Sequence, residues 1–234
     1  DEAGIGLLMK REMDYFAAAL EKPERPLVAV LGGAKVAEKL GAIENLSRLA
    51  NKIIIGGGMA YTFLKATGCE VGRSLVEEDQ IDAARRGLEQ ARSLGVKLYL
   101  PVDAVIAKKI DAQAENRVVS VQEIPEDWMG LDIGPATAEL YRIVLQDAGT
   151  VMWNGPMGVF EIDAFSRGTS AVANAIGKVK GLTIVGGGDT DAAVQKAGES
   201  DKVTFISTGG GAFLHVLQGK KLPSIVALEE GRSS

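Results

Sequence analysis

Four short apolar runs in this chain each end at a cluster of glycines, and this repeated pattern constrains the fold more than any other feature. The runs are residues 27–31 before Gly32-Gly33, 53–55 before Gly56-Gly57-Gly58, 182–185 before Gly186-Gly187-Gly188, and 203–206, which Ser207-Thr208 separate from Gly209-Gly210-Gly211. Short runs rich in β-branched or aromatic residues are typical of buried parallel strands. Because the carboxyl ends of such strands share one edge, where ligands bind, the four clusters predict a single phosphate-binding edge.

The rest of the chain alternates between helix-like and strand-like stretches. Amphipathic spacing predicts helices over 5–20, 35–49, 59–66, 77–94, 137–146, 166–179 with Ser166 as a candidate cap, 190–197 and 212–217. Further strands are predicted at 97–100, 150–153 and 118–121, the last as a candidate antiparallel strand, and a loop at 122–136. This order predicts the α/β class, with a doubly wound, mainly parallel, Rossmann-like sheet in three α/β/α layers.

Composition and missing motifs narrow the classes of function. The net charge of −5 argues against a broad nucleic-acid-binding surface, and no apolar run reaches the ~20 residues of a membrane span. Cys69 is the only cysteine, so no internal disulfide can form; we interpret it as structural and expect a cytoplasmic protein. Neither GxxxxGK[ST] nor a G-x-G-x-x-G after a strand occurs, which counts against P-loop and nicotinamide-binding proteins.

Lys35 and Lys39 are the first candidates for chemistry. They lie four residues apart, which would place both on one face of a helix beginning just after Gly33. A lysine in the first helical turn is repelled by the positive end of the helix dipole, and a phosphate bound between the lysines and the free amides would offset that repulsion. The alternative is a solvated surface pair.

The second candidate is the segment 186–190, which reads Gly-Gly-Gly-Asp-Thr. Its amides could hold phosphate oxygens, Asp189 could face a magnesium ion, and Thr190 could add a hydroxyl. Mg²⁺ is usually held by one or two carboxylates together with substrate phosphates. The alternative is that Asp189 or Thr190 caps the following helix.

The segment 153–161 turns sharply after a strand and then presents Glu161. Such an acid could bind ribose hydroxyls, although a plain turn is the alternative.

His215 is the only histidine, so a histidine metal cluster or a Ser-His-Asp triad has little support, and a packing role is favoured. Packing also explains Trp128 and Trp153 best.

Six motifs occur in an order that resembles the carboxyl-terminal, nucleotide-binding half of phosphoglycerate kinase. They are LGGAKVAEK (31–39), IGGGMAYTFL (55–64), MGLDIGP (129–135), WNGPMGVFE (153–161), GGGDT (186–190) and STGGGAFL (207–214). The resemblance covers nearly the whole chain, from the helix at 5–20 to about Glu230.

The resemblance implies reversible phosphoryl transfer between 1,3-bisphosphoglycerate and MgADP, giving 3-phosphoglycerate and MgATP, a step of glycolysis. It divides the chain into a connector helix (1–22), a nucleotide-binding α/β domain (23–218) and a carboxyl-terminal tail (219–234). The family's amino-terminal domain, which holds 3-phosphoglycerate, lies outside this sequence. We therefore expect a monomer that binds ADP or ATP with Mg²⁺, binds no nucleic acid or membrane, and has little turnover alone.

Matching the motifs residue by residue implies a role for each candidate. Lys35 and Lys39 would contact nucleotide phosphates, and Lys39 would follow the transferred phosphoryl group. The other nucleotide-binding positions are Gly57, Gly130, Leu131 and Val159 around the adenine, Glu161 at the ribose, Asn154 and Pro156 in the cleft wall, and Gly187, Gly188, Asp189 and Thr190 at the phosphates. Asp189 would also face the metal, and Gly210 and Gly211 would offer amides to the group in transfer.

Two other functions remain as alternatives. A non-catalytic adenine-nucleotide-binding module would use the same glycine edge without chemistry, but it would not need Lys39 and Asp189 beside the γ-phosphate. A Rossmann dehydrogenase would bind NAD, and the missing glycine fingerprint counts against it.

Overall fold

The computed structural model describes residues 7–207 and 209–220. Its helices are α1 (Leu7–Leu20), α2 (Leu40–Leu49), α3 (Met59–Ala66), α4 (Ile81–Ser93), α5 (Pro135–Leu145), α6 (Arg167–Ile176), α7 (Gly188–Lys196) and α8 (Gly210–Leu217). Its strands are β1 (Leu27–Leu31), β2 (Lys52–Ile55), β3 (Lys97–Tyr99), β4 (Asp103–Ala107), β5 (Asn116–Ser120), β6 (Met129–Ile133), β7 (Thr150–Asn154), β8 (Leu182–Gly186) and β9 (Phe205–Ser207). None of the helices described is long and apolar enough to cross a membrane.

Six parallel strands form the main sheet in the order β3-β2-β1-β7-β8-β9. The chain builds outward from β1 to β3, then returns to β7 beside β1 and builds outward to β9. The direction of winding therefore reverses between β1 and β7, and open α/β sheets bind ligands outside the strand ends at such a point. Leu31 pairs with Asn154, so these two strands end side by side.

Two helical layers cover the sheet because the side chains of each buried strand alternate between its faces. Leu27, Ala29 and Leu31 of β1 join one cluster with side chains from α1, α2, α3, α4 and α8. Val28 and Val30 point the other way, into a cluster with side chains from α5, α6 and α7. This arrangement confirms the predicted three-layer α/β/α fold.

A second, antiparallel sheet in the order β5-β4-β6 stands beside the main one. The prediction of an antiparallel strand near 118–121 is confirmed by β5, but β4 was not predicted and β6 lies inside the predicted loop at 122–136. The sequence did not predict β6 because it contains Gly130 and Asp132, and both residue types are rare in strands. Trp128 packs into the core of this sheet and is 6% exposed, in agreement with its predicted packing role.

The predicted helix over 35–49 begins only at Leu40. The segment before it forms an irregular turn, in which the amides of Val36 (2.8 Å) and Ala37 (3.1 Å) donate hydrogen bonds to the carboxylate of Glu77. Lys35 and Lys39 therefore do not share a helix face.

Other boundaries also moved. The helix predicted over 77–94 starts as a 3₁₀ turn and becomes α4 at Ile81. Ser166 occupies the N-cap position of α6 as predicted, but its side chain makes no capping hydrogen bond, and its hydroxyl donates to the carbonyl of Asp163 at 3.1 Å. The first residues of the predicted helix at 5–20, Thr208, and residues 221–234 of the predicted tail lie outside the described residues.

The turns after β1, β2 and β7 are bonded directly to one another. The amide of Gly32 donates to Asn154 O (2.9 Å), that of Gly33 to Pro156 O (2.8 Å), and that of Gly57 to Met157 O (3.1 Å). These amides are therefore occupied within the protein. At Gly32, Gly33 and Gly57 the missing side chains therefore allow close contact between backbones, and these amides are not free to bind a ligand.

Gly32 is the tightest of these contacts and gives a test of the turn packing. A Cβ at this position would lie 2.2 Å from Pro156 O and 2.5 Å from Gly155 O, so we expect Gly32→Ala to destabilise the chain by about 2 kcal/mol or more. Gly87, inside α4, is the control, since a Cβ there would make an ordinary 3.8 Å contact with Ile43. Gly87→Ala should stabilise by about 0.5–1 kcal/mol in urea unfolding. If Gly32→Ala and Gly87→Ala change the free energy of unfolding equally, the close backbone contacts at Gly32 are not the cause of its effect.

Candidate functional site

Two adjacent cavities open at the carboxyl edge of the main sheet, and we call them together the cleft. The first, of about 440 Å³, is bordered by β6 and the turn after β7; we call it the β6 cavity. The second, also about 440 Å³, is bordered by the turn after β1 and the start of α7; we call it the α7 cavity. Gly33, Ala34, Pro156 and Asp189 line both, so the two cavities are adjacent.

The cleft brings together the site residues that the sequence predicted. Those lining the β6 cavity are Gly57, Gly130, Leu131, Val159 and Glu161, those lining the α7 cavity are Lys35, Lys39, Asn154, Gly187, Gly188, Thr190 and Gly211, and Pro156 and Asp189 line both. Gly210, the first residue of α8, adjoins Gly211. Segments more than 100 residues apart in the chain therefore meet between β1 and β7, where the direction of winding reverses.

The two lysines differ in their surroundings. The side chain of Lys35 is 70% exposed and pairs with Glu38 at 3.0 Å, so the alternative of a solvated lysine holds for Lys35 but not for Lys39. Lys39 lies at the start of α2, is only 8% exposed, and donates a hydrogen bond to the carbonyl of Asn154 at 3.4 Å. Lys39 is therefore the buried cation of the α7 cavity.

Burial lowers the pKa of Lys39 to about 8, although Glu38 and Asp189 both act to raise it. The ammonium is thus weakly compensated, with one long hydrogen bond and no carboxylate within 4 Å among the described residues. An anion in the α7 cavity would stabilise the charged form and raise this pKa. The geometry favours a ligand that brings negative charge to Lys39.

The start of α7 offers a second feature suited to an anion. Gly188, Asp189 and Thr190 form its first turn and line the α7 cavity, and the first amides of a helix have no acceptor within that helix. Neither Asp189 nor Thr190 caps the helix, whose N-cap is Gly187. Their amides, combined with the helix dipole, are therefore suited to bind phosphate oxygens.

The hydroxyl of Thr190 has a structural role. It accepts a hydrogen bond from the amide of Gly155 at 2.7 Å and donates one to the carbonyl of Gly186 at 3.1 Å. Asn154 makes a parallel connection, since its side-chain amide donates to the same carbonyl at 2.6 Å. These bonds hold the end of β7 against the start of α7, and the hydroxyl has no proton left to donate to a ligand.

Asp189 is the acidic side chain that borders both cavities, and it is exposed. The described residues contain no group of three or more His, Cys, Asp or Glu side chains arranged to hold a metal ion. One carboxylate suits a Mg²⁺ ion that arrives already bound to phosphates, since such ions keep few protein ligands. The donor set thus fits a metal carried by the ligand.

Sequence reasoning missed Asp132, which lines the β6 cavity and is 1% exposed. Its carboxylate accepts hydrogen bonds from the amides of Gly168 (2.7 Å) and Ile133 (2.9 Å). Burial raises its pKa to about 7 even though both amides act in the opposite direction. Its place in the MGLDIGP motif was visible, but the segment was predicted to be a loop, where an aspartate would be exposed.

Tyr61 is the second missed residue. It lines the β6 cavity, and burial raises the pKa of its hydroxyl above the usual range. A Cβ on Gly130 would lie 1.8 Å from the Tyr61 hydroxyl oxygen, so Gly130 must lack a side chain for this ring to fit. The motif IGGGMAYTFL contained the residue, but only the fold brings it beside β6.

The chain matches the family model described as "Phosphoglycerate kinase" over residues 2–220. It is 60% identical to the phosphoglycerate kinase of Citrifermentans bemidjiense over 225 residues, which is 96% of this chain and 56% of that protein. It is 57% identical to that of Nautilia profundicola over 229 residues, or 98% of this chain and 58% of the relative. The chain thus spans about half the length of the curated relatives it matches.

Solved structures agree with these matches. The structure of phosphoglycerate kinase from Coxiella burnetii has a TM-score of 0.91 at 44% identity, over 94% of this chain and 57% of that one. The phosphoglycerate kinase from Pyrococcus horikoshii has a TM-score of 0.85 at 34% identity, over 97% of this chain and 57% of the other.

The raised pKa of Asp132 predicts a pH dependence of stability. The folded chain keeps this proton up to about pH 7, whereas the unfolded chain loses it near pH 3.8. Between these values the folded state binds more protons, so this contribution to stability falls as the pH rises. The original chain should therefore exceed Asp132→Asn in free energy of unfolding by less at pH 7.5 than at pH 5, as measured by urea unfolding. If this difference in free energy of unfolding instead grows with pH, the pKa of Asp132 is not raised in the folded chain.

Proposed function

The chain belongs to the phosphoglycerate kinase family, and from this premise we propose that it supplies the nucleotide-binding half of a phosphoglycerate kinase active site. The reaction is reversible transfer of a phosphoryl group from 1,3-bisphosphoglycerate to MgADP, giving 3-phosphoglycerate and MgATP. The observation that carries the proposal is the cleft, in which a cavity with apolar surface at Leu131 adjoins a cavity that holds the buried Lys39.

The adenosine would occupy the β6 cavity. Leu131 and the half-buried Val159 provide apolar surface for the base, and Gly57 and Gly130 border the same cavity. Glu161 is exposed at the same cavity, so its carboxylate can accept hydrogen bonds from the ribose hydroxyls. The path from the base through the ribose then leads towards Asp189, where the two cavities join.

The phosphates would occupy the α7 cavity, held by the amides of Gly188, Asp189 and Thr190. Asp189 would face the Mg²⁺ ion that accompanies the nucleotide, since Mg²⁺ commonly bridges one carboxylate and substrate phosphates. Lys35, exposed at the mouth of this cavity, can reach the phosphates only by leaving Glu38.

Catalysis in this half would come from positioning and charge stabilisation, without a covalent enzyme intermediate. The Lys39 ammonium would interact with the oxygens of the phosphoryl group as it moves between the carboxyl oxygen and the β-phosphate. The amides of Gly210 and Gly211, at the start of α8, would bind the same group. These donors act most strongly in a site from which water is excluded.

The carboxyl substrate would be bound by a different part of the whole protein. We propose that α1 connects to that part, that residues 23–218 form the nucleotide domain, and that 3-phosphoglycerate binds to an amino-terminal domain present in the longer relatives. A contact already joins α1 to the site: the carboxylate of Glu12 accepts a hydrogen bond from Ser207, just before the last glycine cluster. A monomer in the cytoplasm remains our prediction.

Nucleotide binding should be coupled to proton uptake at Lys39. The pKa of this group, about 8, should rise when phosphates bind, so the chain should take up about half a proton near pH 8 and much less at pH 6.5. Calorimetric titration with MgADP in two buffers of different ionisation enthalpy measures the uptake. Lys39→Ala should lose the uptake and Lys35→Ala, the exposed control, should keep it.

The same titrations test the half-site assignment. MgADP should bind to the 234-residue chain, whereas 3-phosphoglycerate should not, and turnover with ATP should stay far below the ~1–100 s⁻¹ of kinases. Kinase-like turnover by this chain, or no binding of MgADP, would contradict the proposal.

Glu161 gives an independent test of the ribose assignment. We expect Glu161→Ala to weaken MgADP binding about tenfold, as loss of a hydrogen bond to a charged group would. The matched ligand is 2′,3′-dideoxy-ADP with Mg²⁺, which lacks both ribose hydroxyls and should bind equally to the variant and the original chain. An equal loss of affinity for both ligands would place the effect of Glu161 elsewhere.

A further inference from the structure

A third cavity, of about 540 Å³, lies outside the nucleotide cleft between the small sheet and helices α5 and α6. We call it the α5/α6 cavity; its lining includes Val105, Val118, Ile133, Ala138, Arg167 and Ala171. Ile133 of β6 also lines the β6 cavity, so the two spaces share a wall residue. The proposed kinase chemistry uses none of the space in the α5/α6 cavity.

The α5/α6 cavity has an apolar interior. One valine from β4, one from β5 and Ile133 from β6 form the sheet side, and Ala138 and Ala171 form the helix side. Small alanines on the helices leave the valines uncovered, and Val118 is 50% exposed. The volume falls within the ~300–1,000 Å³ range of small-molecule sites, whose linings are mostly apolar with a few polar groups.

The charge of the lining points to an anion. Arg142 is neutralised by Glu139, which it contacts through two hydrogen bonds of 2.7 Å. Arg167 is exposed at the start of α6 and has no carboxylate within 4 Å in residues 7–207 and 209–220. The lining therefore carries one uncompensated guanidinium, on a chain whose net charge is −5.

The nearby helix ends cannot replace Arg167 as an anion site. At the start of α6 the amide of Gly168 donates to Asp132, and at the start of α5 the amides of Ala136 and Thr137 donate to Asp103. A negative group would therefore have to bind through the Arg167 side chain. One cation beside an apolar surface suits one negative charge and does not suit a polyphosphate.

We propose that the α5/α6 cavity binds a small molecule with an apolar or aromatic body and a single anionic group. The body packs between the valines of the small sheet and the alanines of α5 and α6. The anionic group pairs with the guanidinium of Arg167, which can make two parallel hydrogen bonds to a carboxylate or sulfonate. This site does not depend on the proposed kinase function.

A pair of dyes tests both parts of the proposed site. The probe is 8-anilinonaphthalene-1-sulfonate, an aromatic anion, and its neutral counterpart is N-phenyl-1-naphthylamine, which lacks the sulfonate. Fluorescence titration of the 234-residue chain should show saturable binding of both. Arg167→Gln should weaken binding of the anionic dye about tenfold and leave the neutral dye unchanged, because only the charge pair is lost.

Two further variants locate the site. Val118→Asp introduces a negative charge at an already exposed position of β5, so the fold should tolerate it, and it should weaken the anionic dye more than tenfold. Arg86→Gln, on the exposed face of α4 in the opposite layer, is the control and should change neither titration.

The proposal is overturned if Arg167→Gln and Val118→Asp bind the anionic dye as tightly as the original chain. It is also overturned if MgADP displaces the dye competitively, since the dye would then occupy the nucleotide cleft. Because the two variants decide the question without nucleotide, failure of the chain to bind MgADP would count against the kinase proposal alone.

Discussion

The direct backbone hydrogen bonds between the turns after β1, β2 and β7 are the constraint on which the site depends. Gly32 and Gly33 donate to the turn after β7, and Gly57 donates to Met157 of the same turn. These bonds require backbones to approach so closely that a side chain at Gly32 would collide with carbonyl oxygens. They fix the carbonyl of Asn154, which accepts the hydrogen bond from Lys39, and so they determine where the buried cation lies.

Two buried charges give the cleft its electrostatic character. Burial lowers the pKa of Lys39 to about 8 and raises that of Asp132 to about 7, so both groups titrate near neutral pH. Each pKa is shifted because burial removes water from the charged form and the neighbouring groups stabilise that form only in part. At Lys39 the compensation would come from a bound phosphate, which would couple ligand binding to protonation. At Asp132 it comes from two amides, which connect β6 to the start of α6.

The small antiparallel sheet borders both proposed sites. Through β6 it provides one wall of the proposed nucleotide cleft, and Ile133 of the same strand also borders the α5/α6 cavity. Gly168, in the lining of that cavity, donates the hydrogen bond that holds Asp132. The two proposed sites are therefore separated by a single strand and connected by one buried hydrogen bond.

The main parallel sheet and most residues of the cleft could be predicted from the sequence. Local patterns of apolar runs and glycine turns predicted the α/β order, and ordered motifs selected residues that the fold brings together. Which lysine is buried depends on contacts between distant segments, since Lys39 lies against the turn after β7 and donates to the carbonyl of Asn154. Likewise, β4 and β6 form through pairing between distant segments that local propensity does not favour. The roles of individual amides depend on which partners the fold brings within hydrogen-bonding distance, and no local pattern contains that information.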